Sequence, residues 1–138
     1  MPTLLEDKDA IRALTADYCF YVDNVQFDKW LGLWIDDAVF QVDDKVMRGR
    51  AELEKFTREI RLVDGKSPVR HCVMNQVIEV RGDRAASKCY LLTVMKRKDG
   101  SMITVTAGVY SDTLVRTAAG WRFAERRLRG DLRWSKSK

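Results

Sequence analysis

Tyr18, Asp23, His71, Asn75 and Arg126 are the side chains of this 138-residue chain whose types and spacing could do chemistry together. His71 is the only histidine, and histidine is the side-chain type that ordinarily moves protons near neutral pH. Asp23 falls where an amphipathic pattern ends, so its carboxylate faces the negative end of a helix dipole and needs a compensating partner. A histidine would serve. A carboxylate on one ring nitrogen fixes the tautomer and makes the other nitrogen a better base, which is the orienting half of a hydrolase triad without its serine. The residues alone leave open whether the two meet, since Asp23 could simply end its helix. Asn75 stands four residues beyond His71 in an alternating stretch, so in a strand both face the same way. There it could hydrogen-bond a substrate oxygen or satisfy a bulge. Tyr18 shares a helix face with Leu14 and Val22, as either a core tyrosine or a phenol that donates to a leaving oxygen. Arg126 alternates with Ala124 and Leu128, a small apolar face on which it needs an anion, from a substrate or from a core carboxylate. Among the aromatic residues, Trp34, Tyr21 and Phe56 are the ones assigned to a pocket wall; the others are packing.

The elements that must position these residues follow from periodicity. Apolar residues at Ile11, Leu14, Tyr18, Tyr21 and Val22 predict an amphipathic helix from about Leu5 to Asn24. Gln26 to Trp34 reads as a second, short helix, and Ala38 to Val42 as a strand. Gly49 precedes a third helix with Leu53, Phe56, Ile60 and Val63 on one face, ended by Asp64-Gly65 and Pro68. Period-two patterns then predict four strands, His71 to Val80, Ala85 to Lys96, Met102 to Arg116, and Trp121 to about Leu132, joined by turns at Gly82-Asp83, Lys98-Asp99-Gly100 and Ala118-Ala119-Gly120. Helices grouped before a meandering antiparallel sheet indicate an α+β fold, and a curved sheet over helices leaves room for a pocket between the layers.

Length and composition bound the rest. The chain is sized for one domain, with a core over about residues 6–132 and a basic tail at 133–138. Hydrophobic residues are 46% and charged residues 33%, enough for a real core on a soluble protein. No stretch is apolar enough to span a membrane, and the charged start does not read as a signal peptide. Cys19, Cys72 and Cys89 have no paired spacing and read as reduced thiols in the cytoplasm. One histidine and no Cys/His cluster exclude a typical zinc site, and no cofactor motif is present. The net charge of +5 is concentrated late, in Arg122, Arg126, Arg127, Arg129, Arg133, Lys136 and Lys138. A solvated last strand and tail explains it better than a nucleic-acid surface, because no nucleic-acid motif accompanies it.

The order of motifs resembles the nuclear transport factor two-like superfamily, in its SnoaL-like branch. The residues are Tyr18 to Asp23 ending the first helix, WIDDAVF from Trp34 to Phe40, Gly49, HxxxN from His71 to Asn75, Gly82-Asp83, GVYSD from Gly108 to Asp112, and GWRFAERR from Gly120 to Arg127. The resemblance implies a cone-shaped, cystatin-like α+β barrel, three helices packed on a strongly curved antiparallel sheet, with a pocket in the open end and a homodimer through the outer sheet face. It is closest to bile-acid dehydratase and hexachlorocyclohexane dehydrochlorinase. It implies an Asp23–His71 dyad, a pocket tyrosine at Tyr18, and an arginine at Arg126, five residues after Trp121. Such a site suits proton abstraction from carbon in a small, mostly apolar cyclic molecule, with no cofactor or metal. His71 would be the base, Asp23 its orienter, Tyr18 or a water it holds the donor to a departing hydroxide, and Arg126 with Asn75 a holder of the oxyanion. The chain also departs from those patterns. The stretch Leu91 to Met95 lacks the dehydratases' second acid, scytalone dehydratases have two histidines, and the dehydrochlorinase has a lysine at the position of Tyr18. The other reading is a non-catalytic member that binds a small ligand or acts as an accessory subunit, as the β subunits of ring-hydroxylating dioxygenases do.

Overall fold

The computed structural model describes residues 1–132, and the basic tail at 133–138 lies outside the described residues. Helix α1 (Leu4–Asp23) begins at Thr3, whose side chain accepts from the Glu6 amide while Glu6 reaches back to the Thr3 amide. This capping box satisfies two amides that the helix itself leaves unpaired. The helix buries Ile11, Leu14, Tyr18 and Val22 of the predicted stripe and leaves Tyr21 half-buried. Helix α2 (Phe27–Leu31) is shorter than its pattern suggested, because Trp34 already belongs to strand β1 (Trp34–Val42). Strand β2 (Lys45–Arg48) was not legible in the sequence. It folds back on β1 through Asp43-Asp44, with Asp43 in a left-handed conformation. Gly49, at φ 79°, turns the chain into α3 (Gly49–Glu59), which ends four residues before the predicted Val63.

The long strands β3 (Val69–Arg81), β4 (Arg84–Lys96), β5 (Met102–Thr117) and β6 (Gly120–Gly130) form the predicted meander. They complete one six-stranded sheet in the order β2-β1-β6-β5-β4-β3, antiparallel throughout except for the parallel β1–β6 pair. Its concave face buries Cys89 and Leu91 of β4, Tyr110 and Leu114 of β5, and Trp121 and Phe123 of β6 beneath the helices. Gly108 is needed on β5, since a Cβ there would stand 2.5 Å from the Arg129 carbonyl oxygen. At one end, Asp7 of α1 accepts from Arg116 at 2.7 and 2.9 Å and from the Trp121 indole at 3.1 Å, which pins the start of the helix to β5 and β6. Asp23 lies sixteen residues further on, roughly 24 Å along the helix, at the opposite end of the layer.

Candidate active site

Asp23 is the last residue of α1, and no basic side chain occupies that last turn. Its carboxylate spends both oxygens on β3. Oδ2 accepts from the His71 backbone amide at 2.8 Å, and Oδ1 meets His71 Nδ1 at 2.6 Å. Two donors therefore offset the unfavourable helix end. A carboxylate only accepts, so Nδ1 carries the proton of the neutral ring and Nε2 keeps its lone pair. Nε2 makes no hydrogen bond to any described residue. Both side chains are largely but not wholly shielded, 12% exposed for Asp23 and 17% for His71. They line a cleft of about 370 Å³ together with Cys19, Asn24, Ser67 and Arg70. Phe20 and Val69 complete the wall, so the cleft mixes apolar and polar groups where the sequence suggested a mostly apolar pocket.

Tyr18 stands behind His71, with ring centres 6.4 Å apart and edge-on. It is buried at the centre of an aromatic cluster with Trp30, Trp34, Phe40, Tyr110 and Phe123 at 5.5 to 6.4 Å. Burial pushes its phenol up to about 12, so it stays protonated at neutral pH and available as a donor. The Tyr110 hydroxyl donates to it at 3.4 Å. Arg126 is fully buried on the same inner face, its guanidinium 4.2 Å from the Tyr18 ring centre and its Nε 3.0 Å from Asp112 Oδ1. The carboxylate it pairs with is therefore Asp112. Burial pushes the Asp112 carboxyl up to about 6, with Arg126 opposing that rise. Burial depresses the Arg126 guanidinium, but Asp112 together with Tyr110, Tyr18 and Cys89 more than offsets this, and the group stays above its ordinary range.

Several expected positions differ. Asn75 does not share the His71 face. It is exposed, with φ 58°, at a bulge where Asn75 and Gln76 together pass one residue of β4. The bulge reverses the parity of β3, so Gln76 turns inward in place of Asn75 and donates to Thr15 at 3.0 Å and Ser87 at 2.9 Å. A second bulge at Ala124 reverses β6, so the inward companions of Arg126 are Phe123 and Leu128 rather than Ala124. Tyr21 is half-buried beneath Lys29, and Phe56 packs between Trp30 and Phe40, so neither borders the cleft at the dyad. Trp34 is buried against Phe40 and Phe123, one ring further from His71 than Tyr18. Tyr110 and Asp112 escaped the sequence reading, although GVYSD places them two apart on a period-two strand in register with the Arg126 face. Among the described residues the late basic run is not one patch either, because Arg126 is buried and Arg127 pairs with Glu125, while Arg133, Lys136 and Lys138 lie outside them.

A curved antiparallel sheet over helices, with a carboxylate–imidazole pair at its mouth, defines a cystatin-like fold of the nuclear transport factor two-like class. The chain belongs to the SnoaL-like domain family, whose model matches residues 3–127. Among solved structures it is similar to a protein of unknown function from Mycobacterium tuberculosis, at 30% identity and TM-score 0.77 over 88% of this chain and 70% of that one. It is also similar to a nuclear transport factor two-like protein with a cystatin-like fold from Novosphingobium aromaticivorans, at 27% identity and TM-score 0.80 over 91% and 82%. A candidate scytalone dehydratase from the same organism shares the fold at 22% identity and TM-score 0.79 over 93% and 86%. No curated protein matches the chain.

Proposed function

We propose that the chain is a cofactor-independent lyase or isomerase that takes a proton from carbon in a small, mostly apolar cyclic molecule. The observation that carries this is the two-oxygen grip of Asp23 on His71, which leaves Nε2 free at a cleft. In a dehydration, Nε2 takes the proton, and the C–H electron pair becomes the new carbon–carbon double bond. Hydroxide leaves with a proton from the Tyr18 phenol or a water it holds. Asp23 stabilises the imidazolium without taking its proton. Arg126 stabilises the oxyanion from the inner side, while Asn75, turned out by its bulge, is left out of this scheme. A homodimer through the outer sheet face accompanies this reading.

The test uses cyclic β-hydroxyketones, read by the ultraviolet absorbance of the enone product. Asp23→Asn is expected to lower turnover by about 10²- to 10⁴-fold, the range of one general acid–base group. Because His71 is the only histidine, its ring nitrogens can be followed by ¹⁵N NMR without assignment. In the wild type the neutral ring is expected to carry its proton on Nδ1, and in Asp23→Asn to lose that preference. A wild type without the Nδ1 preference, or without turnover on any member of the series, refutes the proton-abstraction reading. The non-catalytic binding reading then takes its place.

A further inference from the structure

The cleft beside the dyad holds one charge that the dyad does not use. Arg70 precedes His71 on β3, so the two side chains leave opposite faces of the strand. Because β3 is an edge strand, both still border the cleft between that edge and α1. The other polar side chains there are committed or neutral. Asp23 spends both oxygens on His71, the Asn24 side-chain amide donates to the Phe20 carbonyl at 2.8 Å, and the Ser67 hydroxyl donates to the Val69 carbonyl at 2.9 Å. Burial pushes the Cys19 thiol up to about 12, so it stays uncharged. Arg50, Arg116 and Arg126 each hold an aspartate, whereas Arg70 meets no carboxylate among the described residues.

A guanidinium presents a planar fork of N–H donors that matches a carboxylate or a phosphate. Charge decides between them. Arg70 brings one positive charge to the cleft, and the Asp23 carboxylate brings one negative charge. A singly charged carboxylate therefore meets less repulsion there than a doubly charged phosphate. The remaining wall describes the body that carries the charge. Phe20 of α1, 68% exposed, and Val69 of β3 are its apolar sides. An aromatic side chain left that open gains contact area when another ring lies against it. The volume of about 370 Å³ is at the small end of ligand cavities, which suits a molecule of one ring.

We propose that Arg70 sets the specificity of the cleft by holding a carboxylate, so that a one-ring acid is taken in preference to its neutral analogue, with Phe20 covering the ring. Arg70 moves no proton in this scheme. The inference rests on the proposed function in taking the cleft beside the dyad as the binding site. It adds the charge of the molecule and does not depend on turnover.

Benzoate and benzamide share a ring and differ in charge at neutral pH, and the ring NMR signals of His71, the only histidine, report their binding. Benzoate is expected to shift these signals saturably and to bind about three- to tenfold tighter than benzamide, the worth of a charge-assisted contact open to solvent. Added salt is expected to narrow that margin. Arg70→Gln is expected to erase it by weakening benzoate alone, Arg70→Lys to restore part of it, and Phe20→Ala to weaken both probes alike. Arg70 is exposed, so its variants are expected to keep the fold. Equal binding of the two probes to the wild type overturns the proposal. So does a benzoate preference that survives in Arg70→Gln, or an absence of His71 shifts with both probes. A preference that is present and falls with Arg70→Gln, in a protein that turns over none of the cyclic hydroxyketones, removes the proton-abstraction reading and leaves the carboxylate site standing.

Discussion

Asn75 holds φ at 58°, a left-handed backbone that asparagine tolerates better than most side chains and β-branched residues scarcely at all. One residue in that conformation lets β3 change face in mid-strand. His71 and Val73 point inward before the bulge, and Gln76 and Ile78 after it. Without the bulge the dyad histidine and the Gln76–Thr15–Ser87 network could not both face α1. Asn75→Gly is therefore expected to leave thermal stability within about 1 kcal/mol of the wild type, glycine accepting the same φ. Asn75→Val is expected to cost about 1–3 kcal/mol and to weaken the His71–Asp23 contact by pulling β3 toward regular pairing. Denaturant titration measures the first effect, and the His71 Nδ1 tautomer preference reports the second. Equal stabilities for the two variants would mean that the backbone there is unstrained.

At the scale of elements, helix α1 is fastened at both ends to the sheet, by Asp7 to Arg116 and Trp121 and by Asp23 to His71. The Arg116 hydrogen bond holds the Asp7 carboxyl below its ordinary range. A carboxyl lowered by folding contributes stability above its unfolded pKa and loses it as pH falls through the folded value. Asp7→Asn is thus expected to lower the melting temperature at neutral pH, with the gap to the wild type narrowing below about pH 4. Asp112 acts in the opposite sense. Its carboxyl, raised to about 6 by burial, favours the fold at low pH and loses that contribution as pH rises through 6. The difference between the Asp7→Asn and wild-type profiles isolates Asp7 from it, and a gap constant with pH would remove the ion pair as the cause. The same elements mark how far the sequence could be read. Long periodic segments such as α1 and the four long strands were legible because burial of one face imposes a period on many residues. Strand β2 and the early start of β1 were not. Four residues carry too little period, and β1 departs from alternation, with Asp36 and Asp37 both exposed. Asp23 and His71 came from a motif resemblance, because 48 residues separate them and no local pattern joins them. The bulges at Asn75 and Ala124 each insert one residue, and a one-residue shift sends every later side chain to the other face.

At the scale of the whole molecule, the two faces of the sheet differ in what they leave uncovered. The concave face is filled by the helices and the aromatic cluster. The convex face carries Met74 directly opposite Tyr90, with Val77 beyond them, at 36%, 53% and 64% exposure. Val109 continues the row onto β5 before Arg129 of β6 ends it. Flat apolar rows bordered by charge are what a self-associating surface presents, and a two-fold pairing would bring the row against its own copy. A dimer through this face keeps both clefts outside the interface, since Asp23 and His71 sit at the mouth on the helical side. The chain is therefore expected to sediment at twice its 16.0 kDa mass. Val77→Asp, which sets two like charges near each other across the axis, is expected to yield a monomer. Because Val77 points away from the core, the variant should keep its helical circular dichroism and the His71 Nδ1 preference. A wild type that sediments as a monomer at all concentrations would leave this face without its partner. A Val77→Asp dimer as tight as the wild type would move the interface elsewhere on the cone.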